Sequence, residues 1–475
     1  MSRRSLIFIF LIFFGVKLSV SIYYTTSLFC RNPEIRAGCL TAFTGDSFSY
    51  TGAMENYINN GEYYFEFNDK KIYAGRVPHY SIPYYMFRQF FNKNTALDLL
   101  ILSQLLLEAI AFFIVSLILL KITRSRLIFF ISLLFSAASF YYTYPSLTPI
   151  TDSPASSLLL ISFWFLFRYL SSTTPNTRNW IFFCVLLSLA TIFRPYFGLI
   201  FIFVLAFLLI RYKLTISTIF KRSAVYGIAL LLFLSPWIIR NYSRSGTLIL
   251  FQQDKYAGYE IGKELELTRK MLGAIGEDAS TMWDKTTAAG FFSPSMFKNS
   301  IWQIPTRISN DSILIKNFMA VRELCIDSVD DKIQSAAYNL HYYAFIDQYK
   351  ATNKFNYYFL KYLSRIKKFV GHSGSYYYSY NAEDGCNNRI DYFLKIAQSL
   401  FYYICLIGGF IGLVWLSRAK KYGFIFLLPT ISLIIFFPII FGLIEWRYFT
   451  PFYFFHQIGA FYLLYRLLNF IKPGI

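Results

Sequence analysis

Residues 180–210 read WIFFCVLLSLATIFRPYFGLIFIFVLAFLLI, and how this run divides decides how often the chain crosses a membrane. A spanning helix takes about 20 mostly apolar residues, with a range of roughly 17–25, so the run is too long for one crossing. Its only interruption is Arg194-Pro195. An arginine is costly in hydrocarbon and cheap at a surface, and proline removes a backbone donor and breaks a helix. The run therefore predicts two short helices that turn at Arg194 on one face of the membrane.

The rest of the chain has the composition of a polytopic membrane protein. Of 475 residues, 56% are hydrophobic and 15% charged, with a mean hydropathy of +0.42, whereas a soluble domain carries about 25% charged residues. The 53 Phe and 39 Tyr include many rings suited to the headgroup level. A formal charge of +20 could suggest nucleic acid, but no Lys/Arg-rich block of the kind that tracks phosphates occurs. The basic residues sit at the ends of apolar runs, so nucleic acid is not an expected partner.

The apolar runs are Leu6 to Leu28, Ala96 to Leu120, Leu127 to Tyr144, Ser153 to Leu170, the pair within Trp180 to Ile210, Ala224 to Ile239, Phe393 to Leu416, Phe424 to Leu443 and Phe449 to Leu468. The first follows Arg3 and Arg4 as a signal peptide would, but it is too long for the usual apolar region and lacks a small-residue cleavage pattern. It is read as helix one. Together they predict an all-α polytopic protein of about ten transmembrane helices, with helix interiors almost empty of charge. With that count Arg3/Arg4, Lys121/Arg124/Arg126, Arg168/Arg178, Arg211/Lys213/Lys221/Arg222, Arg418/Lys420/Lys421 and Arg466/Lys472 all fall on one side. By the positive-inside rule that side is the cytoplasm.

The expected organisation is helix one over 1–29, a first outer loop over 30–95, helices two to seven over 96–239, an outer soluble domain of mainly helical character over 240–392, and helices eight to ten over 393–475. Cys30, Cys39, Cys325 and Cys386 then lie outside, and Cys184 and Cys405 lie in helices as packing residues. Cys30 and Cys39 flank a short outer segment, where they either form a disulfide in an oxidising compartment or remain free thiols.

The unusual polar residues gather on the outer face. Asp46 lies in Gly45-Asp46-Ser47-Phe48-Ser49-Tyr50, and Arg76 opens Arg76-Val77-Pro78-His79-Tyr80. Asp152 opens helix four, Arg194 is at the outer turn, Arg240 ends helix seven, and Glu445 and Arg447 lie between the last two helices. Each has a plain structural role available. Asp152 can cap a helix, Arg240 and Arg447 can anchor at headgroups, and Asp46 can make an Asx turn. Those roles do not explain why carboxylates and arginines from distant parts of the chain reach the same face. Arginine offers a planar fork to a phosphate and neutralises charge on a phosphate leaving group, and a carboxylate can take the proton of an attacking hydroxyl. A transporter would place such residues nearer the midplane.

The Gly45-Asp46-Ser47 segment with Tyr50, Gly61 and the Arg76-Val77-Pro78-His79-Tyr80 run resembles the first outer loop of GT-C type glycosyltransferases, the superfamily of protein O-mannosyltransferases and lipid A aminoarabinose transferases. Asp152, the Phe193-Arg194-Pro195 turn, the Pro236-Trp237-Ile238-Ile239-Arg240-Asn241-Tyr242 helix end and Glu445-Trp446-Arg447-Tyr448 are also similar to that group, particularly its bacterial branch. The resemblance implies a polyprenyl-phosphate sugar donor, a hexosyl or pentosyl group transferred with inversion, and a glycan, lipid or protein acceptor. It implies Asp46 as base or acceptor-positioning group and Asp152 as second carboxylate. Arg76, Arg194, Arg240, Arg447 and Glu445, with Tyr50 and Tyr80, would bind donor phosphate or substrate. It places the protein in a bacterial cytoplasmic (inner) membrane with the site facing outward. His79, His341, His372 and His456 are scattered, so no metal is expected, and no cofactor besides the lipid-linked sugar. The alternatives are a polysaccharide ligase or polymerase acting on a lipid-diphosphate glycan, and a non-enzymatic lipid-linked sugar flippase, whose signature would be inverted repeats and discontinuous helices.

Overall fold

The computed structural model describes residues 1–31, 33–67, 70–174, 176–251, 270–271, 273–275, 310–326, 331–373, 389–442 and 448–471. The chain forms two compact units, Met1–Gln253 with Ser373–Ser432 and Arg447–Ile475, and Asp254–His372 with Leu433–Trp446.

The first unit is a helical membrane bundle. Its long apolar helices are α1 (Arg3–Arg31), α4 (Lys93–Thr123), α7 (Asp152–Ser171), α9 (Gly198–Tyr212), α10 (Ile216–Ser245) and α14 (Arg389–Ala419). Shorter ones are α5 (Arg126–Ala138), α6 (Phe140–Ser146), α8 (Thr177–Phe193) and α15 (Leu428–Ile434), and α16 (Thr450–Ile471) closes the bundle. Side chains such as Ile7, Phe8, Leu11 and Ile12 of α1 are exposed, as lipid-facing residues are. The 180–210 run divides as its sequence dictates. α8 ends at Phe193, Arg194 takes an extended conformation, and a turn of 3₁₀ helix over Pro195–Phe197 leads into α9.

Two runs expected to be continuous are not. The helix foreseen over 127–144 breaks at Ser139, whose ψ of 112° is extended, giving α5 and α6. The one foreseen from Phe424 starts as a 3₁₀ turn (Gly423–Phe426) and passes from α15 into a π-helical segment, Ile435–Phe441, containing Pro438. Proline cannot donate to the preceding turn, and a wider turn absorbs the missing bond.

The bundle interior also holds charge, contrary to expectation. Lys17 of α1 and Glu108 of α4 form an ion pair at 2.7 Å, their side chains 0% and 1% exposed. Lys17 donates to Thr143 at 3.1 Å, and Ser146 donates to the Glu108 carboxylate. Buried charges persist where they are paired and their remaining hydrogen bonds are met.

Elsewhere, backbones make direct contact. A Cβ on Gly412 of α14 would collide with the Gly459 carbonyl of α16, and one on Gly459 would collide with that of Gly409. Without a hydrophobic drive between membrane helices, close backbone packing at small residues is what associates them. Gly412→Leu is expected to destabilise the fold by about 1–3 kcal/mol, the usual cost of overpacking, read as a lowered melting temperature in detergent. An unchanged melting temperature would refute the contact.

Between α1 and α4 this unit carries α2 (Gly45–Asn60), a hairpin of β1 (Phe65–Phe67) and β2 (Lys70–Ile72) with Phe65 opposite Ile72, and α3 (Ile82–Arg88). Before α2, the Cys30–Cys39 bridge does not form. Cys30 is disulfide-bonded, but Cys39 is an exposed free thiol. The turn carrying Cys39 is held instead by Asp98 of α4, which accepts from the backbone amides of Cys39, Leu40 and Thr41 at 2.7, 2.9 and 3.1 Å and from the Thr41 hydroxyl at 2.8 Å. A Cβ at position 38 would strike the Asp98 carboxylate and displace it from this hold.

The second unit is helical where described, with α11 (Ser312–Ile326), α12 (Asp331–Thr352), a π-helical turn over Asn356–Leu360 and α13 (Lys361–Val370).

Candidate active site

Helix α2 starts with Thr44 as cap. The Thr44 amide donates to the Ser47 hydroxyl at 3.1 Å, and the two hydroxyls are 3.2 Å apart. The arrangement puts Asp46, partly buried, in the first helical turn, where the positive end of a helix favours a carboxylate. Tyr50 is one turn further and on the same face. It accepts from the Thr151 hydroxyl at 3.0 Å, so α2 is tied to the residue preceding Asp152.

Asp152 is in the first turn of α7, and Thr151 holds the cap position. The carboxylate is used by Arg194, whose Nη2 donates to Oδ2. Asp152 is 2% exposed and Arg194 9%. The pair is therefore shielded from water, yet Asp152 Oδ1 and Arg194 Nε are buried with no hydrogen-bond partner among the described residues. Leaving such atoms unpaired costs about 1–3 kcal/mol or more for charged groups, and a bound ligand would recover it. The Tyr448 ring centroid is 5.6 Å from the guanidinium.

Beside the pair, the Arg76 guanidinium is 4.5 Å from the centroid of the Tyr50 ring. Tyr50 and Tyr80 meet edge to face with centroids 5.3 Å apart. Tyr80 donates to Gln104 at 3.2 Å, and Gln104 donates to the carbonyls of Ser146 and Thr148 at 3.3 and 3.1 Å. Gln104, unremarkable inside an apolar run, thus pins the 146–151 loop that delivers Asp152. Tyr50, Arg76, Tyr80, Thr151, Phe193 and Pro195 line a small cavity of about 40 Å³, room for an ordered water or a single polar group.

No protein-family model matches this chain, and no curated protein matches it. Among solved structures it is similar to the crystal structure of ArnT from Cupriavidus metallidurans bound to undecaprenyl phosphate, with 12% identity over 97% of this chain and 78% of that one, at a TM-score of 0.36. Likeness at that level carries no weight on its own, so function must be read from the residues of the site.

Of the residues foreseen, Asp152, Arg194, Tyr50, Arg76 and Tyr80 converge, with Asp46 one turn from Tyr50. Arg240 is placed differently. It donates to the carbonyls of Tyr63 and Tyr73 on either side of the hairpin and to Asn241 at 2.9 Å, with its guanidinium 5.1 Å from the Trp237 ring centroid. Glu445 and Arg447 lie outside the described residues. Among the described residues no three His, Cys, Asp or Glu side chains gather as metal ligands.

A second ionic group steadies the same loop. Arg88 of α3 donates to both oxygens of Glu55 of α2, at 2.8 and 3.4 Å, and Tyr84 donates to the same carboxylate. Burial acts to raise the Glu55 carboxyl, but hydrogen bonds from Arg88 and Tyr84 and the charges of Arg88 and Lys93 hold it below the usual range. A depressed carboxyl contributes stability that is present above its unfolded value of about 4.3 and is lost as pH falls through the folded one. Glu55→Gln is therefore expected to flatten the acid side of the stability profile, below about pH 4.3, measured by melting against pH. A profile superimposable on wild type would show that the group is not linked to folding.

Proposed function

We propose that this chain is an inverting GT-C type glycosyltransferase of a bacterial cytoplasmic membrane that moves a sugar from a polyprenyl-phosphate donor to a glycan, lipid or protein acceptor on the non-cytoplasmic face. The observation that carries the reading is the buried Asp152–Arg194 pair with an unused oxygen and an unused Nε, set next to Arg76 and its aromatic walls. A donor phosphate placed there would accept from the Arg194 and Arg76 guanidinium groups, which are worth most where charge develops in a dry site.

In the displacement, the acceptor hydroxyl attacks the anomeric carbon while the bond from that carbon to the phosphate oxygen breaks. Polyprenyl phosphate leaves with the electron pair, and Asp46 takes the hydroxyl proton. One displacement inverts the anomeric configuration. Asp152 holds Arg194 in place and offers Oδ1 to the donor. Arg240, bonded to the carbonyls flanking the hairpin, fixes the loop. The test is to offer purified protein in nanodiscs a panel of polyprenyl-phosphate sugars with membrane extract as acceptor. Consumption of one donor, with a product of inverted anomeric configuration, supports the reading; consumption of lipid-diphosphate glycans alone would favour a ligase.

The helix break at Ser139 and, above all, the Lys17–Glu108 pair are on the side of a flippase, since discontinuous helices and intramembrane charges mark transport paths. Each member of the pair is, however, satisfied by the other and by Thr143 or Ser146, as a structural staple would be.

A further inference from the structure

Three cations meet in the second unit, and among the described residues one carboxylate, the exposed Asp347, pairs with any of them. Lys361 and Arg365, at positions i and i+4 of α13, lie on one face of that helix and are 7% and 8% exposed. The Lys361 ammonium is 3.6 Å from the centroid of the Tyr357 ring and 4.9 Å from that of Tyr362, and Lys350 of α12 reaches the same Tyr357 ring at 5.4 Å. Arg365 donates to the carbonyls of Gly273 and, at 3.3 Å, Pro438, while its Nε is buried with no partner among the described residues. Gly442, at φ 68°, lies against that guanidinium, with its Nη1 3.0 Å from where a Cβ would be.

The nearest described carboxylate is Asp347, 76% exposed and 3.9 Å from Lys350. No described carboxylate pairs with Lys361 or Arg365. Aromatic faces and neutral carbonyls ease the burial of a cation but do not cancel its charge. Burial, Arg365 and Lys350 together push the Lys361 ammonium down to about 8, as burial among neighbouring cations does.

We propose that Lys361, Arg365 and Lys350 form an anion site that takes a phosphate group. The fork of Arg365, with Nε still to be used, matches two phosphate oxygens, and the two ammonium groups supply point charges. The phosphate could be borne by a soluble molecule or by a lipid headgroup, and the test separates the two.

The full chain would be melted in inorganic phosphate and in chloride at matched ionic strength, near neutral pH. Phosphate is expected to stabilise the wild type saturably beyond chloride. Its apparent affinity should fall about tenfold or more in Lys361→Met and in Arg365→Lys, the latter keeping the charge but losing the fork. Because Lys361 and Arg365 belong to the second unit and the Asp152–Arg194 pair to the first, loss of the effect in these variants assigns it to α13. In nanodiscs, stabilisation by phosphatidic acid over phosphatidylcholine with no response to inorganic phosphate would assign the group to a lipid, and the reverse to a soluble ligand. Equal shifts in phosphate and chloride together with no preference for phosphatidic acid, or a phosphate or phosphatidic acid effect undiminished in both variants, would overturn the proposal.

Discussion

Arg194→Met is expected to abolish sugar transfer and to destabilise the fold by about 3–5 kcal/mol, the cost of leaving one member of a buried ion pair alone. Asp152 is 2% exposed, and without Arg194 its carboxylate would have neither water nor a counter-ion. Two companion variants separate the roles. Asp152→Asn combined with Arg194→Met removes both charges and should recover most of the stability while remaining inactive, because the donor phosphate still lacks its guanidinium. Arg194→Lys keeps a charge but not the planar fork, and should retain the fold with strongly reduced turnover. Melting in detergent and donor consumption read the two effects. A stable and active Arg194→Met protein would remove the pair from both fold and mechanism.

The second large effect is expected inside the bundle. Lys17→Met leaves Glu108 buried and unpaired, at a cost of about 3–5 kcal/mol, whereas Lys17→Met with Glu108→Leu should return stability to the wild-type level or above it. Activity supplies a further readout. Glu108 accepts from Ser146, and the Ser146 and Ser153 hydroxyls are hydrogen-bonded, so the pair supports the segment that ends at Asp152. The single variant should lose turnover along with stability, and the double variant should regain both. A double variant no more stable than the single one would contradict the account of the pair as a structural staple.

How much of this was readable from residues alone follows from the range of each interaction. The turn at Arg194 was readable because two local rules, the cost of a buried arginine and the helix-breaking of proline, coincide at adjacent positions. The break at Ser139 and the π-helical segment around Pro438 left no such mark, since a serine or a single proline is tolerated within membrane helices. Lys17 and Glu108 vanish into the average hydropathy of their runs, and only the approach of α1 to α4 shows that each answers the other. The partners of Arg240 in the fold are backbone carbonyls, which no sequence displays. Cys30 and Cys39 are close in sequence, but the fold gives the intervening turn to Asp98. Tyr50, Arg76 and Tyr80, distant in sequence from Asp152 and Arg194, line one small cavity with their chain neighbours Thr151, Phe193 and Pro195, a convergence that only the fold displays.

The most direct measurement compares wild type with Asp46→Asn in purified form, following release of polyprenyl phosphate from the donor that the panel identifies. Proton removal by a positioned base contributes about 10²–10⁴-fold. Release reduced by that factor, with melting unchanged, is the predicted result. Equal release by the two proteins would contradict the assignment of Asp46 and with it the proposed displacement.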